Sequence, residues 1–273
     1  MKQDLTILVC CHKPDYFYAG EGYLPIHVGK AISNVDLKIQ GDDTGDNISA
    51  KNPNYCELTA HYWYWKNCPH SKYVGLNHYR RYFDFGSAAC KTLKFSPEQL
   101  NENPPQPFDI DQIFCSYDIV LAKPIVYKRS LEADYAHYHR ADDLRVLREV
   151  IEELTPDYLE AYNHIMRGNK LSPCNMFITR SETFAHYSEW CFKILSEVER
   201  RIEISSCPRQ ARVFGYMSER LLNVYALRHG LKVKHLPIIK IVERAKKRYW
   251  IIDSYKDLKN NITFSLGRLL GRK

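Results

Sequence analysis

The sequence has no long hydrophobic run. Its N-terminal apolar segment, DLTILVCCH, holds about seven apolar residues, whereas a transmembrane helix needs about 20. The segment also lacks the basic stretch and cleavage site of a signal peptide. These absences argue against an integral helical membrane protein and predict a cytoplasmic location.

The sequence also lacks paired cysteine motifs. Its nine cysteines include no CxxC pair and follow no regular spacing. Motifs of that kind mark zinc sites and redox-active disulfides. An odd number of scattered cysteines favours reduced thiols in a reducing compartment, which agrees with a cytoplasmic chain.

Glycine-rich phosphate-binding motifs are absent as well. Neither GxGxxG nor GxxxxGK[ST] occurs in the sequence, so the Rossmann dinucleotide and P-loop classes lose their usual support. The acidic stretch GDDTGDNISAKNPN, residues 41–54, lacks the glutamate that an EF-hand loop requires. A nucleotide site in this chain therefore needs other residues.

Excess positive charge is missing from most of the chain. The segment from Lys240 onward has ten Lys or Arg and three Asp or Glu, which leaves 29 of each sign before it. A nucleic-acid-binding domain carries its basic surface within the fold, so no nucleic-acid partner is expected. The change from a neutral to a basic segment at residue 240 predicts a domain over 1–239 and a basic amphipathic extension over 240–273.

Strand and helix patterns alternate along the chain. Apolar runs predict strands at 4–11, 72–76, 117–127, 174–180 and 231–239. Helical periodicity or capping signals predict helices at 55–67, 142–154, 181–202 and 213–230. This alternation predicts an α/β fold with a mostly parallel central sheet flanked by helices. Ligands bind beyond the carboxyl ends of such strands.

The segment YVGLNHYRRYF, residues 73–83, places His78, Arg80 and Arg81 at a predicted strand end. A guanidinium group binds phosphate through two parallel hydrogen bonds. We therefore expect these three residues to bind a donor diphosphate and to stabilise charge as the leaving group departs. The alternative is a set of salt bridges that ties the strand to its neighbours.

Two polar loops follow other predicted strands. His12 and Lys13 follow the first strand, where a nucleotide base and ribose commonly lie in α/β sheets. The second loop carries Asp42, Asp43, Asp46 and Asn47. We expect both loops to contact nucleotide or sugar hydroxyls. A surface loop and a carboxylate-stabilised turn are the alternatives; Mg²⁺ or Mn²⁺ binding is less favoured.

Further candidates lie later in the chain. Glu219, in GYMSERLL, is predicted near a helix start, where a carboxylate stays ionised and suits a general base; an ordinary first-turn glutamate is the alternative. His137 and Asn175 are candidates for acceptor binding. His137-x-His139 lacks a third ligand with zinc-site spacing, so no metal site is predicted.

The C-terminal segment has an amphipathic pattern. The apolar stripe predicted over residues 256–273 consists of Leu258, Ile262, Leu266, Leu269 and Leu270. Basic residues accompany it, namely Lys259, Arg268, Arg272 and Lys273, with further basic residues upstream at 246–248. Such a helix suits the surface of an anionic membrane. Packing on the domain, or a contact in a homo-oligomer, is the alternative.

Five segments together resemble a known family. They are ILVCCHKP, DDTGDNISAKNPNYCELTAHYWYWKN, YVGLNHYRRYF, CNMFITR and RVFGYMSERLLNVY, in order from residue 7 to 225. The resemblance is to a domain, formerly of unknown function, in bacterial capsular polysaccharide, exopolysaccharide and O-antigen biosynthesis proteins. That domain is now grouped with glycosyltransferases that include galactofuranosyltransferases.

The resemblance implies a GT-A-like fold and a nucleotide-sugar-dependent hexosyltransferase. A UDP-sugar would donate galactose or galactofuranose to a lipid-linked or polysaccharide acceptor, with inversion, at the inner face of the plasma membrane. Many GT-A enzymes hold a divalent metal with an Asp-x-Asp motif, but the matching strand end here is His78-Tyr79-Arg80. We therefore expect no metal cofactor. The alternative function is a non-catalytic carbohydrate- or nucleotide-binding component of a polysaccharide assembly complex.

Overall fold

The computed structural model describes residues 4–86, 92–102, 105, 109–243 and 250–271. The strands are β1 (Leu5–Cys11), β2 (Tyr23–His27), β3 (Gln40–Gly41), β4 (Tyr73–His78), β5 (Arg81–Phe83), β6 (Thr92–Phe95), β7 (Ile119–Ala122), β8 (Ile125–Val126), β9 (Lys170–Leu171), β10 (Phe177–Arg180), β11 (Val233–Leu236) and β12 (Ile238–Ile241). The α-helices are α1 (Asn52–Tyr55), α2 (Leu58–Asn67), α3 (Pro97–Glu102), α4 (Ile110–Phe114), α5 (Leu131–Tyr138), α6 (Ala141–Leu154), α7 (Leu159–Arg167), α8 (Ser181–Arg201), α9 (Val213–Arg228) and α10 (Trp250–Leu269).

The central sheet has the strand order β11-β7-β10-β4-β1-β2-β3. Strand β1 pairs in parallel with both β2 and β4, while β10 is antiparallel to β4 and β7. The predicted mostly parallel sheet is confirmed. Strand β1 is covered on both faces, and Ile7, Leu8 and Val9 have no exposed surface. A strand that is buried on both faces needs apolar residues at consecutive positions, which accounts for the continuous apolar run.

A second group of strands extends the sheet beyond β4. The chain reverses after His78, and His78 pairs with Arg81 at the start of β5. Strand β5 then pairs with β12, which also pairs with β6. This group brings β12 alongside the carboxyl end of β4.

The helices flank the sheet and enclose the largest apolar core. Helix α8 packs against α2, α6 and α9, and its stripe of Phe184, Tyr187, Cys191 and Leu195 is buried, as the periodicity predicts. The predicted helices at 142–154, 181–202 and 213–230 are confirmed as α6, α8 and α9. None of the helices in the described part of the chain is both long and apolar enough to cross a membrane.

One predicted helix differs in detail. The helix predicted at 55–67 is divided into α1 and α2 at Cys56, whose φ of 53° is incompatible with a continuous helix. The strand predicted at 117–127, with a break expected near Pro124, forms β7 and β8 on either side of that residue. The division into domains at residue 239 stays a prediction, and β12 runs across that position.

Helix α10 lies on the ribbon formed by β8 and β9. The Asn260 amide donates to the Val126 carbonyl at 2.7 Å, and the Asn169 amide donates to Asn261 Oδ1 at 3.1 Å. The predicted amphipathic helix is therefore present. The basic residues predicted at 246–248, 272 and 273 lie outside the described residues.

Candidate functional site

A cleft of about 790 Å³ opens at the carboxyl ends of β1 and β4. Six basic side chains contribute to its lining: His12, His78, Arg80, Arg81, Arg212 and Lys240. Two carboxylates, Glu57 and Glu243, also line it. The excess of cations makes the cleft suited to a ligand with several negative charges.

The turn between β4 and β5 brings three of these basic residues together. Residues Tyr79 and Arg80 form the turn, and His78 and Arg81 are cross-strand partners. Partners directly opposite each other in an antiparallel pair project to the same face. Together with Arg80, they line the same cleft.

Arg80 and Arg81 differ in their contacts. Arg80 forms an ion pair with Asp15 at 2.6 Å, so the loop after β1 restrains it. Among the described residues, none forms a hydrogen bond or ion pair with the Arg81 guanidinium. Both line the cleft, and Arg81 retains the larger capacity to bind an anion.

The structure fixes the tautomer of neutral His78. Its Nε2 lies 2.7 Å from the Cys174 carbonyl oxygen, which can only accept, so Nε2 carries the proton. Burial lowers the pKa of His78, and the charges of Arg81 and Arg212 lower it further, against an opposing effect of Glu57. The imidazole is therefore neutral near pH 7, with Nδ1 as its acceptor.

Glu57 follows the strained residue Cys56 and precedes α2. It is buried, with 8% of its surface exposed. Its Oε1 accepts a hydrogen bond of 2.6 Å from the side-chain amide of Asn175. In the sequence, Glu57 stands three positions after Asn54, which is the spacing of a helix-capping pair. In the structure, Glu57 lies in the turn between α1 and α2, and it lines the cleft.

Asn175 belongs to a tight turn before β10. Cys174 and Asn175 both have left-handed backbone conformations, with φ values of 72° and 50°. Asparagine tolerates this region better than most residues. The Asn175 amide also donates to the Gly215 carbonyl at 3.1 Å. Asn175, predicted to bind an acceptor, instead lies behind Glu57 and is not among the residues that line the cleft.

Glu219 is not at a helix start, which corrects the sequence-based position. Helix α9 begins at Val213, so Glu219 is two turns into it, beyond the reach of the helix dipole. Its Oε1 accepts from the Cys174 backbone amide at 2.9 Å. Burial raises the pKa of Glu219. Glu219 does not line the cleft, and its role as a general base stays a hypothesis.

The carboxylate loop is not brought to the cleft. Asp42 is fully buried, and it accepts hydrogen bonds from the Gly29 and Lys30 amides and the Ser49 hydroxyl. It stabilises the loop, as the alternative interpretation held.

The other residues of that loop lie towards the far end of α2. The Asp46 amide donates to the side chain of Asn67, the last residue of α2, and the Asn47 amide donates to the Gly45 carbonyl. Asp43 is exposed. A ten-residue helix is about 15 Å long, which separates this region from Glu57.

The remaining candidates are divided between the cleft and the surface. His12 lines the cleft and packs edge-on against Tyr79, with ring centroids 5.3 Å apart. Lys13 is exposed beside Asp15 at 4.0 Å and does not line the cleft. His137 is exposed on α5, away from the cleft-lining residues.

Sequence reasoning missed Arg212 and Lys240. Arg212 caps the N-terminal end of α9 and its Nε donates to Cys56 Sγ at 3.2 Å. Lys240 is the register partner of Arg81 across β5 and β12. Arg212 directly precedes the predicted helix at 213–230, and Lys240 directly follows the predicted strand at 231–239. These positions alone do not place the two residues in one cleft, which only the topology reveals.

Comparison with known proteins agrees with this architecture. Residues 6–230 match a family described as a domain of unknown function, DUF4422. The fold is similar to a solved structure described as the apo form of WbbM, a bifunctional glycosyltransferase, with 33% identity and a TM-score of 0.77.

The similarity covers 87% of this chain and 45% of that chain, so this chain spans less than half of the WbbM length. No curated protein matches the sequence. Because the family match extends over most of the chain, the protein belongs to the DUF4422 family.

Proposed function

We propose that this protein is a glycosyltransferase that moves a hexose from a UDP-sugar to an acceptor hydroxyl in bacterial surface-glycan synthesis. The observation that carries the proposal is the cation-lined cleft at the carboxyl ends of β1 and β4. The similarity to a glycosyltransferase at 33% identity supports it.

The cleft suits the diphosphate of a nucleotide sugar. Arg80, Arg81 and Lys240 surround one part of it, and guanidinium groups bind phosphate oxygens in pairs. As the bond between the sugar and the diphosphate breaks, negative charge develops on the leaving oxygen. Fixed cations stabilise that charge without having to reorganise, which is the work a divalent metal does in other enzymes.

The nucleoside would occupy the part of the cleft near β1 and β2. His12 and Tyr79 offer ring surfaces there, and Asn52, whose Nδ2 donates to Cys56 and Thr59, has its side-chain carbonyl oxygen as an acceptor. Aromatic and imidazole rings stack on nucleobases, and amides bind their polar edges. This arrangement replaces the predicted contacts from Asp42, Asp43, Asp46 and Asn47.

The resemblance found in the sequence suggests galactose or galactofuranose as the transferred sugar, and a lipid-linked or polysaccharide acceptor. Transfer by one displacement inverts the anomeric carbon. The acceptor would approach from the side of α5 and α9, where His137 lies beyond the cleft.

We further propose that α10 rests on an anionic membrane. Its polar side faces the protein through Asn260 and Asn261, whereas its exposed face is apolar. Tyr255, Leu258, Ile262, Leu266 and Leu269 are each more than half exposed. A helix with its apolar stripe directed outward buries that stripe in the lipid interface. Strands β7 and β4 are parallel within the sheet, so β8 and α10 lie at the same edge as the cleft.

The proposed function is tested with the purified full chain and a set of UDP-sugars. Calorimetry measures UDP and UDP-sugar binding, and release of UDP measures turnover with water or added galactosides as acceptor. The expected result is micromolar UDP binding and turnover of at least one UDP-sugar, both lost in Arg81→Ala. UDP binding without turnover would favour the non-catalytic binding component, and the absence of both would overturn the proposal.

A further inference from the structure

Transfer to a hydroxyl needs a group that removes its proton, and two carboxylates line the cleft. Glu243 is exposed at the rim. Glu57 is buried in the wall, with its Oε1 bound to Asn175 at 2.6 Å. No described residue forms a hydrogen bond with Glu57 Oε2. Glu57 therefore combines a fixed orientation with one oxygen available to a ligand.

The orientation of Glu57 depends on strained backbone on both sides. Cys56, directly before it, has φ 53° and ψ −130°, a region that residues other than glycine rarely adopt. Cys174 and Asn175 adopt left-handed conformations opposite it. Backbone strain of this kind persists only where the surrounding structure imposes it. Three of the four non-glycine residues with positive φ in the described chain therefore surround one carboxylate.

Glu219 acts on the opposite side of the same turn. Its carboxylate accepts from the Cys174 amide, and the Cys174 carbonyl accepts from His78. The turn at Cys174–Asn175 thus forms hydrogen bonds with three side chains. Glu219 and His78 bind the backbone of Cys174, and Glu57 binds the side chain of Asn175. Through this connection Glu219 can position residues of the cleft, although Glu219 itself does not line it.

We propose that Glu57 is the catalytic carboxylate of the transfer reaction, and that Asn175 and Glu219 are positioning residues that act through it and through His78. The inference rests on the proposed glycosyltransferase function. The acceptor oxygen forms a bond to the anomeric carbon, and the bond from that carbon to the diphosphate oxygen breaks with its electron pair leaving on UDP. The acceptor proton moves to Glu57 Oε2.

Arg212 and His78 connect Glu57 with the proposed leaving-group site. Both interact electrostatically with Glu57, and both line the cleft together with Arg80, Arg81 and Lys240. Glu57 and the proposed diphosphate site therefore belong to one cleft, as displacement at a single sugar carbon requires.

The test compares Glu57→Gln with the wild-type chain, with Glu149→Gln as a matched control on an exposed helix surface. The substrate is the UDP-sugar that the wild-type protein turns over fastest, with water as acceptor. General base catalysis contributes about 100-fold to 10,000-fold, so we expect Glu57→Gln to lower kcat at least 100-fold. UDP affinity should stay within threefold or increase, because the substitution removes a negative charge from an anion site.

Two further variants separate catalysis from folding. Asn175→Gly keeps the left-handed conformation but removes the amide that holds Glu57, and should lower kcat about tenfold with unchanged UDP affinity. Glu219→Gln keeps an oxygen that accepts from Cys174, and should lose much less activity than Glu57→Gln.

The outcomes distinguish the two proposals. If Glu57→Gln keeps more than a third of the wild-type kcat, or if Glu219→Gln loses more activity than Glu57→Gln, the assignment of Glu57 is wrong while the glycosyltransferase proposal stands. If Glu57→Gln fails to bind UDP, its activity cannot report on catalysis, and the kcat of Asn175→Gly decides instead. An unchanged kcat in Asn175→Gly rejects the inference. A wild-type chain that turns over no UDP-sugar overturns both proposals.

Discussion

His78 offers a ligand only one ring nitrogen, because its Nε2 proton is donated to the Cys174 carbonyl. In the neutral ring the free Nδ1 accepts and cannot donate to a phosphate oxygen. Burial lowers the pKa of His78, and an anion bound in the cleft would raise it. Binding of UDP should therefore be accompanied by uptake of a proton at Nδ1, and affinity should increase as the pH falls towards 6.

This proton uptake is measurable by calorimetry at pH 6 to 7 in buffers with different ionisation enthalpies. We expect up to one proton bound per UDP in the wild-type protein and a smaller uptake in His78→Asn. Equal uptake in both proteins would contradict the assignment of the proton to His78.

His61 provides a second pH-dependent effect, in the core. It is surrounded by aromatic rings that include Phe184 and Phe192, and burial lowers its pKa from 6.5 to about 3. The unfolded chain binds the proton more readily, so stability is lost as the pH falls from 6.5 towards 3, by up to about 5 kcal/mol. We expect His61→Phe to flatten this dependence. Urea unfolding of both proteins at pH 7 and pH 5 tests it, and parallel pH profiles would contradict it.

At the scale of single residues, sequence predicted three basic residues of the cleft but not Arg212, Lys240 or Glu57. His78, Arg80 and Arg81 stand together in one segment, where the basic residues are evident. Glu57 has a helix-capping spacing that many ordinary glutamates share, and its contact with Asn175 joins residues 118 positions apart. The burial of Asp42 in its loop could not be predicted either, because a carboxylate that binds a ligand and one that stabilises a turn occur in the same sequence patterns.

At the scale of elements, β4 and β10 approach unusually closely at Gly75. A Cβ on Gly75 would lie 2.8 Å from the Phe177 carbonyl oxygen and 2.9 Å from Ile178 Cγ1. Overpacking of this kind typically costs about 1–3 kcal/mol, so Gly75→Ala should lower the free energy of unfolding by that amount. The urea midpoint measures the change, with the m-value as a control for a two-state transition. An unchanged midpoint would show that the two strands can separate without cost.

Helix α10 leads to a prediction about membrane association. Replacing Leu258, Ile262 and Leu266 by Gln should lower partitioning to phosphatidylserine vesicles at least tenfold. Burial of one such side chain in lipid contributes at most about 1.5–3 kcal/mol to the binding free energy. A loss of about 1.4 kcal/mol already corresponds to a tenfold change in the partition constant. Ile32→Gln with Val35→Gln, which changes exposed apolar residues elsewhere, is the matched control. Sedimentation with vesicles measures the partitioning. Equal binding by the three-site variant would exclude α10 as the contact surface.

Sequence predicted most elements because their signals are local. Strand β1 is a continuous apolar run, and α8 has a regular apolar stripe. The break at Cys56 and the antiparallel direction of β10 were not predictable, since both depend on contacts between distant segments. Two such contacts near Cys56 are the hydrogen bond from Asn175 to Glu57 and the packing of Gly215 against Cys56.

At the scale of the whole molecule, charge is concentrated in two places. The first 239 residues have no net charge, yet Arg80, Arg81 and Arg212 from that part of the chain meet Lys240 in one cleft. We expect UDP affinity to be equal within threefold in EDTA and in Mn²⁺, and to fall with added salt because the charged rim is partly exposed to solvent. Calorimetry at 50 and 300 mM NaCl, with each additive, measures both effects. Binding that requires Mn²⁺ would reject the view that side-chain cations replace a metal.

The register of β5 with β12 places two like charges at the cleft. Arg81 and Lys240 stand directly across from each other, and like charges in that position repel. Under the proposed function, the diphosphate would lie beside both side chains and offset this repulsion. We therefore expect bound UDP to strengthen the pairing of β5 with β12.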